Sequence, residues 1–129
     1  MKYKRMLCWL NRQDRKLLQD TNAQYDIPIV YSKNFNDFSS EIKEDDYIVV
    51  SCSSLSSKYD KIVALAEQHS TKIFHIFARQ NMNGQRELDF MCEPNVVSRQ
   101  YGPDELIEEF LGEEEYTHLD DYSCKIWNN

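Results

Sequence analysis

Short apolar runs alternate with amphipathic segments along this chain, and this alternation constrains the fold more than any other feature. The clearest run is Tyr47–Ser51, which is β-branched and apolar almost throughout. Continuous apolar runs of this length are typical of strands buried on both faces of a sheet. Similar runs predict four more strands, at residues 6–10, 27–31, 72–77 and 95–98.

Helical patterns follow most of these runs. Asn11 and Asn34 are predicted to cap the first two helices, and Ser57 with Asp60 resembles a capping box for the third. Gly102 and Pro103 begin a last helix that Gly112 can end. The apolar positions that repeat at helical spacing are Leu17, Leu18, Phe35, Phe38, Ile42, Tyr59, Ile62, Val63, Ala66, Leu106, Ile107, Phe110 and Leu111.

The predicted order is βαβαβαβ, an irregular stretch, and a final βα. Such alternation indicates an α/β fold, a five-stranded and mostly parallel sheet with helices on both faces and right-handed crossovers. Pro28, near the start of the second strand, predicts that this strand lies at an edge of the sheet. In the irregular stretch, Asn83-Gly84 predicts a hairpin over residues 79–90, with a short helix over 85–91 as the alternative.

Charge divides the chain into a predicted domain, residues 1–112, and an acidic, aromatic tail, residues 113–129. The tail contributes −4 to the net charge of −7. This balance argues against nucleic acid as a general partner. The four cysteines form no C-x-x-C pair, and neither a signal peptide nor a long apolar segment is evident, so we expect reduced thiols, a cytoplasmic protein and no membrane.

A family resemblance rests on Ser98–Phe110 and on the layout of the whole domain. Five βα units of this total length are typical of a flavodoxin-like domain, and the segment is similar to the end of a receiver domain of response regulators. Tyr101 stands where receivers place an aromatic residue, while Arg99 and Gln100 stand in place of their lysine and proline. The resemblance implies a receiver-like fold.

The residues that carry receiver chemistry are absent from the matching positions. Receivers have an acidic pair after the first strand, a phosphoacceptor aspartate after the third, and serine or threonine after the fourth. Here those places hold the segment 11–14, with Asp14 as its one acid, then Ser51–Ser53, and Ala78. The resemblance therefore implies a degenerate receiver that binds neither Mg²⁺ nor any cofactor, and that acts by binding another protein.

The serine-rich turn after the third strand is the best candidate binding site. Parallel sheets bind ligands beyond the carboxyl ends of their strands, and hydroxyls at a helix start favour an anion. The alternative is that these serines only turn and cap the chain. The turn is also loosely similar to that of TIR domains and nucleoside deoxyribosyltransferases. The candidate anion-binding residues are Ser51, Ser53, Ser54, Ser56, Ser57 and Lys58.

Other candidate residues support weaker hypotheses. Cys52 lacks the arginine of cysteine phosphatases, and no pair among the three histidines has metal-ligand spacing, so we expect no catalytic residue and no metal. His75 is predicted to be structural. Trp9, Arg12 and Arg15 could line the ligand edge. The candidate partner-binding residues are Tyr101, Tyr116, Tyr122 and Trp127. The last three belong to the tail, which is expected to dock either on its own domain or on a partner.

Three functions remain in competition at this point. The favoured one is a non-catalytic protein-interaction or regulatory module. The alternative is a nucleotide-binding or phosphometabolite-binding domain that uses the serine-rich turn. The third is a small acidic inhibitor of the kind that viruses encode, although a net charge of −7 is ordinary for this length.

Overall fold

A computed structural model describes residues 3–77 and 96–112 of the chain, except for the side chains of residues 55, 56 and 96–101. The strands are β1 (Arg5–Trp9), β2 (Ile29–Tyr31), β3 (Asp46–Ser51), β4 (Phe74–Phe77) and β5 (Val96–Tyr101). The helices are α1 (Arg12–Asn22), α2 (Phe35–Glu41), α3 (Cys52–Ser57), α4 (Tyr59–Gln68) and α5 (Pro103–Phe110).

The strands form a parallel sheet in the order β2-β1-β3-β4-β5. Doubly wound folds of the flavodoxin-like arrangement have this order. The predicted α/β class, with a parallel sheet covered by helices, is confirmed. The edge position of the second strand is also confirmed, because β2 begins directly after Pro28 and pairs with β1 on one side.

Successive strand residues point to opposite faces, and two apolar cores result. On one face, alternate residues of β1, β3 and β4 pack with α2 and α4. Burial of each such side chain favours folding by about 1.5–3 kcal/mol. The buried members of this core are Leu7, Phe38, Ile48, Val50, Ile62, Leu65, Ala66, Phe74 and Ile76.

The other face of the sheet is covered by α1 and α5, which lie side by side. Their apolar residues pack on the strand positions that alternate with those of the first core. The predicted core positions Leu18 and Leu106 are therefore confirmed, whereas Leu17, predicted on the same face as Leu18, is 36% exposed and lies outside the core. The buried members are Met6, Cys8, Leu18, Ile27, Tyr47, Val49, Phe77, Leu106, Ile107 and Phe110.

The predicted asparagine caps are confirmed. Asn11 Oδ1 accepts a hydrogen bond from the backbone N–H of Asp14 at 2.8 Å, and Asn34 Oδ1 accepts one from Asp37 at the same distance. At α5, Gly102 is the N-cap with Pro103 in the first turn. Gly112 follows the helix with a φ of 80°, a conformation that glycine adopts without strain.

The segment after β3 differs from the prediction. Residues 52–57 form the short helix α3 instead of an open turn, and α4 begins at Tyr59 after Lys58. Ser57 and Asp60 make no capping box, because Ser57 belongs to α3 and its hydroxyl donates to the carbonyl of Ser54 at 2.9 Å. A serine inside a helix commonly bonds back to a preceding carbonyl in this way.

Several predictions fall on residues outside the described part. These are the hairpin over 79–90, the tail 113–129, and the tail residues Tyr116, Tyr122 and Trp127. The backbone of Tyr101 ends β5. Among residues 3–77 and 96–112, no helix is both long and apolar enough to cross a membrane.

Candidate functional site

The carboxyl ends of the parallel strands meet at one edge of the sheet, which we call the carboxyl edge. Asn11 and Ser32 follow β1 and β2, and Ser51 is the last residue of β3. The chain leaves β1 toward β2 on one side and later returns to β3 on the other, so the strand order reverses between β1 and β3. Ligands of open α/β sheets bind at such a reversal.

Hydrogen bonds join the two loops at this reversal point. The backbone N–H of Asn11 donates to Ser51 Oγ at 2.8 Å, and Asn11 Nδ2 donates to Ser53 Oγ at 2.7 Å. Ser51 Oγ also lies 3.3 Å from Ser54 Oγ. Asn11 thus connects the start of α1 with the start of α3 while it caps α1.

The structure brings some of the predicted anion-binding serines together. Ser51 and Ser54 are buried, Ser53 is exposed, and all three lie near Asn11 or each other. Ser57 and Lys58 are exposed, at the far end of α3, and the side chain of Ser56 is outside the described part. The described hydroxyls serve in hydrogen bonds within the protein, so a ligand here must displace some of these bonds.

Asp14 is the acid closest to a receiver's acidic pair, and it is buried in the first turn of α1. Arg12, two residues before it, is exposed. Among residues 3–77 and 96–112, no three His, Cys, Asp or Glu side chains are grouped so that they could hold a metal ion. At this edge Ser53 and Arg12 are exposed, whereas Asp14 is buried.

A basic cleft of about 560 Å³ opens beside the reversal point, between the ends of β1 and β2. One wall comes from the exposed face of α1 and the other from the residues after β2. Its lining contains four cationic residues and no acid. The lining residues are Leu10, Arg12, Arg15, Lys16, Gln19, Ser32 and Lys33.

The cations of the basic cleft differ in their surroundings. The Arg15 guanidinium lies over the ring of Tyr31, 5.3 Å from its centroid, which favours a fixed position by a cation–π contact. Lys16 Nζ lies 3.4 Å from Asp20 on the same helix, in an exposed pair. Arg12 and Lys33 form no ion pair within the described part of the chain.

The sequence pointed to half of this cleft. Arg12 and Arg15 were expected at the ligand edge, and they line the cleft. Lys33 was missed because it follows a different strand, and only the pairing of β2 with β1 brings it close. Trp9 does not line the cleft; it packs on the opposite face, with ring centroids 5.9 Å from Phe35 and 6.1 Å from Phe38.

A second polar cluster lies away from this edge, between β3, β4 and α5. His75 is buried, with Nδ1 3.0 Å from the carbonyl oxygen of Ile48 and Nε2 2.9 Å from Glu109 Oε1. Tyr47 donates its hydroxyl to the same carboxylate oxygen at 3.1 Å and stacks on the imidazole at 3.9 Å. These contacts hold α5 against the sheet, as expected of a structural histidine.

Comparison with models of known protein families, with curated proteins and with solved structures finds no match to this chain.

Proposed function

We propose that this chain is a non-catalytic protein-interaction or regulatory module with a degenerate receiver-like form of the flavodoxin-like fold. The observation that carries the proposal is the hydrogen bond between the Asn11 N–H and Ser51 Oγ at the reversal point. A phosphoryl switch requires a carboxylate at the end of β3 to form the acyl phosphate. Here that position is a serine whose hydroxyl accepts a structural hydrogen bond.

Burial of Ser51 also argues against a role for this serine as a nucleophile. The residue is 0% exposed, and its oxygen contacts both Asn11 and Ser54. A serine nucleophile needs access to substrate and an adjacent base. The buried His75 is engaged with Ile48 and Glu109 and does not supply one.

The surroundings of the site support the receiver-like part of the proposal. The strand order β2-β1-β3-β4-β5 fits this arrangement, and α5 begins at Gly102-Pro103 directly after β5. The free thiols Cys8 and Cys52 fit a reducing, cytoplasmic compartment. The protein partner would bind a domain that has the receiver-like fold but not the residues for phosphoryl transfer.

Phosphoryl transfer from a small donor tests the non-catalytic part. The purified full chain is incubated with acetyl phosphate and Mg²⁺, and its intact mass is measured, with an active receiver domain treated in parallel. We expect the receiver to gain one phosphoryl group and this chain to gain none. Stoichiometric labelling of this chain would overturn the proposal.

Affinity capture tests the interaction part. The full chain is used as bait in extracts of the cells in which the protein is naturally made, at low and at moderate salt. We expect a protein that is retained in a fixed stoichiometric ratio to the bait. Recovery of the bait alone under both conditions contradicts a protein-interaction function.

A nucleotide or phosphometabolite site at the reversal point is the second candidate, favoured by the approach of Ser51, Ser53 and Ser54 to one another. A ligand that binds the folded state raises the melting temperature in proportion to the logarithm of its concentration above Kd. Melting curves with a panel of nucleotides and sugar phosphates test this candidate, with Ser53→Ala as the site variant. A shift that Ser53→Ala abolishes supports it, and a flat panel excludes it.

A further inference from the structure

The basic cleft places positive charge on a chain whose net charge is −7. Four of the seven lining residues are lysine or arginine, and none is acidic. Excess charge of one sign in a concave surface attracts ligands of the opposite sign and favours their approach. We propose that the basic cleft binds an acidic peptide segment of a protein partner, an inference that rests on the proposed interaction function.

The cations lie in a row that suits an extended peptide. Arg12, Arg15, Lys16 and Gln19 are spaced i, i+3, i+4 and i+7, so they share one face of α1 over two turns. The three cations of this row, Arg12, Arg15 and Lys16, extend about 6 Å along the helix axis. Same-face side chains of an extended peptide repeat about every 7 Å, so two neighbouring acidic side chains match the length of the row.

The opposite wall adds a cation from a separate element. Lys33 follows β2, which pairs with β1 directly below the cleft, and its side chain is exposed. A peptide between α1 and Lys33 would meet positive charge from both sides. Arg15 is already positioned by the Tyr31 ring, which reduces the conformational entropy lost on binding.

A compact phosphate group is a poorer fit than a peptide. Phosphate sites at a helix start use free N–H groups and the positive end of the helix dipole. At α1, Asn11 Oδ1 already accepts the Asp14 N–H, and the Asp14 carboxylate is buried in this same turn. The Asp14 N–H is therefore not free for a phosphate, and Arg15 and Lys16 lie just over one turn away from the cap.

Hexaglutamate with a fluorescent label is the test probe, and its anisotropy is measured during titration with the full chain in low-salt buffer. The site variant is Arg12→Glu with Lys33→Glu. The matched control is Lys43→Glu with Lys61→Glu, two exposed lysines outside the cleft whose reversal changes the net charge by the same amount. The control therefore reports the effect of overall repulsion alone.

We expect the site variant to bind the probe at least about tenfold more weakly than the control, since charge-assisted contacts are lost and replaced by repulsion. Binding by the unmodified chain should weaken as salt increases. Equal affinities of the site variant and the control would overturn the proposal. If the charge reversal prevents folding, Arg12→Gln with Lys33→Gln replaces it, and the same comparison decides.

Two further arms identify the occupant. In the first, ADP and unlabelled hexaglutamate are each titrated as competitors of the labelled probe. If ADP displaces the probe at lower concentrations than unlabelled hexaglutamate does, and if this displacement depends on Arg12 and Lys33, a small phosphate ligand replaces the peptide as the assigned occupant. In the full chain, Asp120→Asn with Asp121→Asn tests the protein's own acidic tail. A gain in probe affinity larger than that from Asp37→Asn with Glu67→Gln, which removes the same charge from exposed positions outside the cleft, would assign the cleft to the tail and overturn a partner segment. Equal affinities of these two variants support a partner segment.

The outcome is separable from that of the proposed function. If acetyl phosphate labels the chain but hexaglutamate still binds in the cleft, the non-catalytic function is wrong and the inference about the cleft stands. Loss of the cleft's role in hexaglutamate binding, in a chain that is not labelled and still captures a partner, would remove this inference alone.

Discussion

His75 Nε2 lies 2.9 Å from Glu109 Oε1, which joins the middle of the sheet to α5 across 34 positions of the sequence. The other ring nitrogen lies 3.0 Å from the carbonyl oxygen of Ile48. A carbonyl oxygen only accepts, so a hydrogen bond at this contact requires the proton on Nδ1. The pair is thus a buried contact that retains α5, and its disruption should be measurable in the free energy of unfolding.

Glu109→Ala should lower the free energy of unfolding by about 1–3 kcal/mol, because one oxygen accepts from Tyr47 and contacts His75. Urea unfolding measures the change. Glu67→Ala is the control, an exposed glutamate on α4 whose loss should change stability by less than about 0.5 kcal/mol. Equal effects of the two substitutions would show that the contact does not stabilise the fold.

Arg5→Ala should destabilise the protein by roughly 3 kcal/mol, because it leaves the buried Asp46 carboxylate without its cation. Arg5 Nε donates to Asp46 Oδ1 at 2.7 Å, and the Asp46 side chain is 2% exposed. The neighbouring pair of Lys4 with Asp45 is separated by 3.7 Å, with side chains 83% and 48% exposed. Lys4→Ala should therefore have little effect, and thermal unfolding compares the two. If Arg5→Ala lowers the melting temperature no more than Lys4→Ala does, the ion pair of Arg5 with Asp46 does not stabilise the fold.

Asn11→Ala should cost more stability than Asn34→Ala, although both residues cap a helix with the same 2.8 Å bond. Loss of a cap costs about 1 kcal/mol. Asn11 also donates to Ser53 across the reversal point, so its removal should cost roughly 1 kcal/mol more. Chemical unfolding of both variants measures the difference. The stability of Asn11→Asp, which keeps the cap but loses the Nδ2 donor, should lie between that of the parent and that of Asn11→Ala. Equal stabilities of Asn11→Ala and Asn34→Ala would show that the hydrogen bond from Asn11 to Ser53 does not stabilise the fold.

Cys8 should be alkylated far more slowly than Cys52 in the native protein. Cys8 is 0% exposed, and burial raises the pKa of its thiol, so the reactive thiolate is scarce near pH 8. Cys52 is partly exposed at the start of α3. Peptide mass spectrometry over a time course with iodoacetamide should show a difference of roughly a hundredfold or more. The difference should vanish in denaturant, and similar native rates would contradict the burial of Cys8.

The helix starts show how far local patterns could be interpreted. Asn11 and Asn34 were predicted as caps because the side chain and the N–H that it accepts lie three residues apart. The same reasoning was wrong for Ser57 and Asp60. Residues 52–57 form a helix of their own. The prediction failed because a local run of serines is compatible with a turn, with a helix cap, or with a helix in which a serine hydroxyl donates to a preceding carbonyl.

The sites depended on pairing that no local pattern contains. Arg12 and Arg15 could be placed at the carboxyl edge from their position after the first strand, but Lys33 joined them only through the pairing of β1 with β2. No sequence pattern singled out Glu109, because its contact with His75 depends on where α5 lies over the sheet.

The α/β class, the parallel sheet and the faces of its helices were determined by the sequence alone, because apolar periodicity and helix caps act within a few residues. The partners of Ser51 and His75, and the position of Lys33 in the basic cleft, were decided only by the tertiary structure. The reason is that strand order and helix packing join residues many positions apart, through contacts whose energies depend on the assembled fold and not on neighbours in the chain.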